Sequence, residues 1–180
     1  MIKIAGGRYR SRVLEVPDTL AVPTKSIVRT AIGNALSNDL RGARVLDLFA
    51  GCGAVGIELL SRGASSCVFV DHSQDCIDAI KANLEKLRIG NATVMFSDYF
   101  GALGELYVHK DSFDIIFLDP PYAQKDVYKD IPALLIKKGL LKEKGILVLE
   151  YEGSIVDSSS LFKEGKVYNY GRTSVQILRR

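Results

Sequence analysis

The sequence predicts an α/β protein with a mostly parallel sheet covered by helices on both faces. Three observations predict it. From Val45 onward, short apolar runs alternate with amphipathic helical stretches, the pattern of repeated strand–helix–strand units. The run Ile115-Ile116-Phe117-Leu118 is apolar throughout rather than at every second residue, as a strand buried on both sides requires. Acids recur in step with the strands, at Asp47, Asp71, Asp98 and Asp119, toward the carboxyl edge where open α/β sheets bind ligands.

The elements follow in order. Met1 to Val16 interleaves Lys3, Arg8, Arg10 and Arg12 with apolar residues around Gly6-Gly7, which reads as a β-hairpin. Pro17 and Pro23 bracket a loop, and Thr24 is placed to cap a helix from Lys25 to about Asn38. Val45 to Phe49 is a strand, and a glycine loop leads to a helix ending near Arg62. Cys67 to Val70 is the second strand; Ser73 opens a helix to about Leu87, striped by Ile77, Ile80, Leu84 and Leu87. Thr93 to Phe96, a short helix over Tyr99 to Tyr107, and the strand Asp114 to Leu118 come next. A helix from Val127 to Lys138 and a strand from Gly145 to Tyr151 complete the alternation. Lys166 to Tyr170 and Ser174 to Leu178, joined at Gly171-Arg172-Thr173, read as a hairpin that brings an antiparallel strand into the sheet.

At 180 residues the chain predicts one domain, with residues 1–23 a basic hairpin extension and 24–180 the α/β core. Its 47% hydrophobic and 25% charged residues are ordinary globular composition. No apolar run approaches the roughly 20 residues of a membrane span, and the N-terminus lacks the long apolar core of a signal peptide, so a cytoplasmic protein is expected. The net charge of +3 permits a nucleic-acid partner without demanding one. Cys52, Cys67 and Cys76 are odd in number and never in C-x-x-C spacing, and there are only 2 histidines, which argues against a disulfide framework and a metal centre. Cys52 reads as a small buried residue, with no sequence-adjacent base to make it a nucleophile.

The tetrapeptide Asp119-Pro120-Pro121-Tyr122 closes the Ile115–Leu118 strand. Each proline fixes its φ and lacks an N–H, so the carbonyls here can face a cleft. A carboxylate and a carbonyl are acceptors only; together they suit a planar –NH2 group, and Tyr122 suits the ring that bears it. The plain alternative is a strand followed by a proline-rich turn. The second motif is Asp47-Leu48-Phe49-Ala50-Gly51-Cys52-Gly53-Ala54-Val55-Gly56. Gly51, Gly53 and Gly56 satisfy the dinucleotide fingerprint G-x-G-x-x-G, which an ordinary strand-to-helix turn also satisfies. The acids discriminate. Asp47 before the glycines would repel a pyrophosphate but accept from an ammonium, directly or through water. Asp71 at the end of the next strand suits ribose hydroxyls, and Asp98 is placed to accept from an adenine amine. A ligand with an ammonium, a ribose and an adenine is S-adenosylmethionine.

On these motifs the chain resembles class I S-adenosylmethionine-dependent methyltransferases. More narrowly it is similar to the RsmD family of bacterial small-subunit ribosomal RNA methyltransferases. The likeness runs over nearly the whole chain: I-A-G-G-R-Y-R-S-R at the N-terminus, the P-T before the first helix, L-D-L-F-A-G-C-G-A-V-G-I-E, F-L-D-P-P-Y, and Y-G-R-T-S-V near the end. The resemblance implies a Rossmann-like, mostly parallel seven-stranded sheet with an antiparallel terminal strand. It implies methylation of the exocyclic N2 of a guanine in 16S ribosomal RNA, with S-adenosylmethionine as cofactor and a monomer acting on a small-subunit assembly particle. Asp119, Pro120, Pro121 and Tyr122 would be catalytic. Asp47, Phe49, Ala50, Gly51, Gly53, Gly56, Asp71, His72, Ser97 and Asp98 would hold the cofactor. Lys3, Arg8, Arg10, Arg12 and Arg29 would meet RNA, the arginines at alternate positions projecting from one strand face; the plain alternative is a charged edge strand. Val22, Ser26, Ile27 and Thr30 depart from the family, which carries arginine, an acid, a base and glutamate there. No metal is expected.

Rival readings remain at this stage. An adenine N6-methyltransferase of DNA or RNA would use the same D-P-P-Y, but those acting on DNA generally need a further target-recognition region. A nicotinamide-dependent dehydrogenase leaves D-P-P-Y without a role. A non-catalytic RNA-binding protein has no need of the aspartates.

Overall fold

The structure is a computed structural model that describes residues 2–19, 23–121, 127–155 and 158–180. Tyr122 and Val22 lie outside the described residues.

A two-stranded antiparallel ribbon, β1 (Ile2–Lys3) and β2 (Val13–Leu14), precedes the main sheet. The elements that follow are α1 (Ser26–Ala35), β3 (Arg44–Asp47), α2 (Ala54–Ser61), β4 (Ser66–Asp71), α3 (Gln74–Leu87), β5 (Ala92–Phe96), α4 (Tyr99–Val108), β6 (Phe113–Leu118), α5 (Val127–Lys137), β7 (Leu141–Glu152), β8 (Glu164–Tyr170) and β9 (Thr173–Arg179). The seven-stranded sheet runs β5-β4-β3-β6-β7-β9-β8. β5, β4, β3, β6 and β7 are parallel, and β9 enters antiparallel between β7 and β8. The predicted class and terminal hairpin are therefore what the chain forms.

Alternation along the strands divides the interior. Val45, Phe69, Ile115, Phe117, Ile146 and Val148 face a core shared with α1, α2 and α3. Leu46, Val68, Val70, Ile116, Leu118, Leu147 and Leu149 face a core shared with α4 and α5. Both strand faces are thus apolar, which is why these runs carry no polar alternation.

Several boundaries differ from the sequence reading. Helix α1 stops at Ala35, because Ser37-Asn38-Asp39 form turns. Thr24 does not cap it; the cap position is Lys25, without a side-chain bond. β7 begins at Leu141, earlier than expected, because the charged run Lys142-Glu143-Lys144 is an exposed stretch of strand with Lys142 paired to Asp114 at 2.8 Å. Pro132 sits inside α5. Its missing N–H would have bonded the Tyr128 carbonyl, which instead accepts from the Ser158 hydroxyl at 3.1 Å.

The N-terminal hairpin is docked. Gly7, at φ 76, lies so close to α2 that an added Cβ would fall 1.9 Å from the Ser61 carbonyl oxygen. The Ala5 N–H donates to Glu58 at 2.7 Å, and the Tyr9 N–H to the Ser61 hydroxyl at 2.9 Å. This cover buries every residue of α2. Residues 6–11 form turns, so Arg8 and Arg10 are not on one strand face, although Arg8, Arg10 and Arg12 are all exposed.

Gly56 permits α2 to approach the sheet. A Cβ there would lie 2.3 Å from a Phe69 ring carbon and 2.8 Å from Cys67 Sγ. Gly56→Ala is expected to lower stability by about 1–3 kcal/mol through overpacking. Gly90→Ala, which faces open space, should leave the melting temperature nearly unchanged. Thermal unfolding of the two variants checks this, and equal melting temperatures would remove the packing argument.

Candidate active site

The strand order reverses between β3 and β6: the chain proceeds from β3 to β4 and β5 on one side and from β6 to β7 on the other. Open α/β sheets form a crevice at the carboxyl ends of such a pair. Here it is a cavity of about 470 Å³.

One half is built by the glycine loop. Asp47, the last residue of β3, is buried at 1% exposure. Its Oδ2 accepts from the Gly56 N–H at 2.9 Å, while its Oδ1 has no hydrogen-bond partner among the described residues. Gly51 and Gly53 adopt φ of 54° and 78°, which glycine reaches without strain. The Gly51 N–H donates to Asp71 Oδ2 at 2.8 Å, and the Ser73 N–H to Asp71 Oδ1 at 2.9 Å. Asp71 thereby fixes the loop after β3 to the turn before α3. Phe49, Ala50, Gly51, Asp71 and His72 line the cavity with Asp47. Gly53 and Gly56 do not; they shape the loop and pack against Phe69.

Ser97 and Asp98 are not brought to the cavity lining. The Asp98 carboxylate accepts from the Gly101 N–H at 2.7 Å, capping α4. An aspartate followed by a helix serves equally well as a cap, and spacing alone does not separate the two roles.

The other half is the end of β6. Asp119, Pro120 and Pro121 line the cavity. Glu150, which sequence reading did not single out, and Thr24, read there only as a helix cap, join them. Glu150, near the end of β7, is 6% exposed, and its Oε2 accepts from the Thr24 hydroxyl at 3.0 Å. The same hydroxyl stands 3.4 Å from Asp119 Oδ2. The signal for Glu150 was present: an acid at the end of an apolar parallel strand, like Asp119. Arg29 requires a correction. It is 2% exposed, with Nη1 donating to the Thr24 carbonyl and Nη2 to the Lys3 carbonyl at 2.8 Å. Burial inside the N-terminal packing removes it from any RNA-facing surface.

The electrostatics are those of an acidic cleft. Burial pushes the Asp47 carboxyl up to about 7, and Asp119 and Asp71 add to the shift. Burial also raises Asp119 and Glu150, and each lies near another acid, Glu152 for Asp119 and Asp119 for Glu150. Cys52 also lines the cavity, but burial pushes its thiol up to about 11, so it is no nucleophile near neutral pH.

These residues fit S-adenosylmethionine. A ligand with a sulfonium and an ammonium needs negative charge and free acceptors; a pyrophosphate would be repelled. The cavity supplies Asp47 Oδ1, Asp71 and Asp119 against the exposed Lys25 and His72. The fold and site together define a class I S-adenosylmethionine-dependent methyltransferase.

The comparisons agree. A family model described as Conserved hypothetical protein 95 matches residues 2–179. The chain is 33% identical over 183 residues to the putative rRNA methyltransferase YlbH of Bacillus subtilis, covering 99% of each. It is 34% identical to the Ribosomal RNA small subunit methyltransferase D of Escherichia coli K12, over 93% of this chain and 76% of that one. The fold matches the putative methyltransferase yhhF of Escherichia coli with a TM-score of 0.82 at 28% identity, over 99% of this chain and 97% of that one. The chain belongs to this family, the RsmD family.

The buried acids set a pH dependence. The folded Asp47 carboxyl, at about 7, binds its proton more tightly than an unfolded one at about 3.9. Its contribution to stability is complete below the unfolded value and is lost as pH rises through the folded value. Asp119 and Glu150 act with the same sign. The ligand-free protein should therefore melt several degrees higher at about pH 5.5 than at about pH 8, and Asp47→Asn should shrink the difference. Melting scans across pH test it; a melting temperature that rises with pH would contradict the burial argument.

Proposed function

We propose that this protein transfers a methyl group from S-adenosylmethionine to the exocyclic N2 of a guanine in 16S ribosomal RNA. The reading places it in the cytoplasm, as a monomer acting on a small-subunit assembly particle. The observation that carries it is the convergence at the strand-order reversal: Asp119 and the two prolines on one wall, Asp47 and Asp71 on the other. The relatives named as ribosomal RNA methyltransferases support the substrate. Among the described residues no helix is long and apolar enough to cross a membrane.

The cofactor supplies an electrophilic methyl on its sulfonium. Asp47 and Asp71 bind and orient its charged and hydroxyl groups. Asp119 accepts a hydrogen bond from the target –NH2, whose lone pair is otherwise delocalised into the ring; that bond strengthens as positive charge develops on the nitrogen. Pro120 and Pro121 stiffen the ledge and present no competing N–H. Proximity supplies much of the remaining acceleration. In this reading Tyr122 stacks on the extruded base.

Exposed cations offer the RNA grip. Arg8 and Arg12 line a concavity of about 420 Å³ with Lys86 and Arg88 at the end of α3. The opening of α3 contributes Cys76 to the catalytic cavity, and the ten residues of helix from Cys76 to Lys86 set the two sites about 15 Å apart along its axis. Lys3 and Arg10 extend the basic surface. Such contacts take phosphates and position the RNA without reading its sequence.

Tritium transfer from labelled cofactor to small-subunit RNA lacking the modification, with nucleoside analysis, should place label in N2-methylguanosine. Asp119→Ala should lower turnover at least about a hundredfold and leave cofactor affinity nearly unchanged. Label in methyladenosine would instead favour the adenine reading, and near-normal turnover of the variant would dismiss Asp119 as the amine acceptor.

RNA affinity should fall with salt, and the Arg8→Ala/Arg12→Ala double variant should reduce the log–log slope by about one per lost phosphate contact. A slope equal to that of the unmodified protein would remove these arginines from the interface.

A further inference from the structure

Glu150 has no part in the mechanism above, yet it is buried in the same cavity wall as Asp119. β6 and β7 pair in parallel with Leu118 opposite Leu149, so the next residues, Asp119 and Glu150, come side by side. Thr24 joins them, its Oγ1 3.0 Å from Glu150 Oε2 and 3.4 Å from Asp119 Oδ2. A threonine hydroxyl has one hydrogen. Between two ionised carboxylates it can donate to only one and leaves the other oxygen facing a lone pair. A hydrogen on one carboxyl lets the three groups form a chain, acid to hydroxyl to carboxylate, over the 3.0 Å contact and the long 3.4 Å one.

The surroundings favour one shared proton. Asp47 on β3 and Glu152 on β7 add negative charge near the pair. Arg29 on α1 is the nearby cation and offsets part of this charge, but its Nη1 and Nη2 donate to the carbonyls of Thr24 and Lys3 rather than to either carboxylate. From α5, the Tyr128 hydroxyl donates to the Glu150 main-chain oxygen. Two carboxylates this close cannot both ionise without penalty. Glu150 is the better place for the proton: it is buried at 6% exposure, whereas Asp119 is half-buried at the mouth of the β6 ledge.

We infer that Glu150 is a positioning residue that holds a proton in the resting site and, through the Thr24 hydroxyl, keeps the Asp119 carboxylate ionised to accept the substrate amine. The inference rests on the proposed function for its purpose, but the protonation itself can be read without turnover.

The infrared spectrum of the ligand-free protein at neutral pH should contain a protonated-carboxyl band, with a component that Glu150→Gln removes and Asp47→Asn, which takes away the signal of the other raised acid, leaves in place. In the transfer assay Glu150→Gln, whose amide can donate to Thr24 as the acid does, should keep kcat within about threefold. Glu150→Ala, and Thr24→Val as an isosteric break in the chain, should each lower kcat about tenfold or more while leaving KM for the cofactor nearly unchanged. The unmodified enzyme should also lose activity on the alkaline side, where Glu150 gives up its proton, and Glu150→Gln should abolish that limb. Absence of a Glu150-dependent component in that band overturns the inference. So does a Glu150→Gln variant as slow as Glu150→Ala, or a Thr24→Val variant that is unimpaired. If the band is present and no RNA is methylated, the proposed function fails while the protonation stands.

Discussion

The parallel pairing of β3 with β6 is the constraint on which the rest of the molecule depends. Val45, Leu46 and Asp47 lie opposite Ile115, Ile116 and Phe117, and the connections from the two strands leave in opposite directions. Right-handed crossovers then put α2 and α3 on one face of the sheet and α4 and α5 on the other. No element can cover the carboxyl ends of β3 and β6 themselves. The crevice is a consequence of strand order, and the side chains at those strand ends, Asp47 and Asp119, face it by position alone.

Function is then a matter of what those ends carry. Buried carboxylates oppose folding unless something compensates them. The structure compensates Asp47 with a single backbone N–H and Asp119 with a long contact to Thr24. Arg29 lies close enough to Glu150 to offset part of its burial but is tied to the main chain. The deficit is chemically useful. A site short of hydrogens and of positive charge attracts a sulfonium, an ammonium and an amine, and the same site excludes a pyrophosphate. The raised carboxyls and the ligand preference are two expressions of one imbalance.

Much of this was legible in the sequence because the relevant signals are local. The strand–helix alternation fixes the layer structure, and the glycines and aspartates fall at strand ends that the apolar runs delimit. What escaped local reading depends on partners far along the chain. Thr24 looks like a helix cap until β6 and β7 bring Asp119 and Glu150 to its hydroxyl, across separations of 95 and 126 residues. Arg29 looks like a surface cation until the β1 carbonyl of Lys3 folds over it. Asp98 is a local case: its cap on Gly101, three residues on, obeys the same strand-end spacing as a ligand residue would. The hairpin was visible, but its docking against Glu58 and Ser61 was not, since nothing in an alternating basic stretch says which surface it will meet.

That docking shapes the reaction as well as the fold. The segment that begins with the basic hairpin also carries Thr24 to the cavity and, through the Lys3 carbonyl, fixes Arg29. One stretch of chain therefore touches both the basic concavity and the acidic cavity, whose lining residues Lys86 and Cys76 lie about 15 Å apart along α3. A flexible single strand could satisfy both sites only by giving up conformational entropy over that span. An RNA already folded, with a phosphate run and one accessible base held at that separation, gives up little. Under the proposed function, the spacing of the two sites would favour an RNA of fixed shape, while the cavity at the end of β6 would favour the chemistry of a single amine.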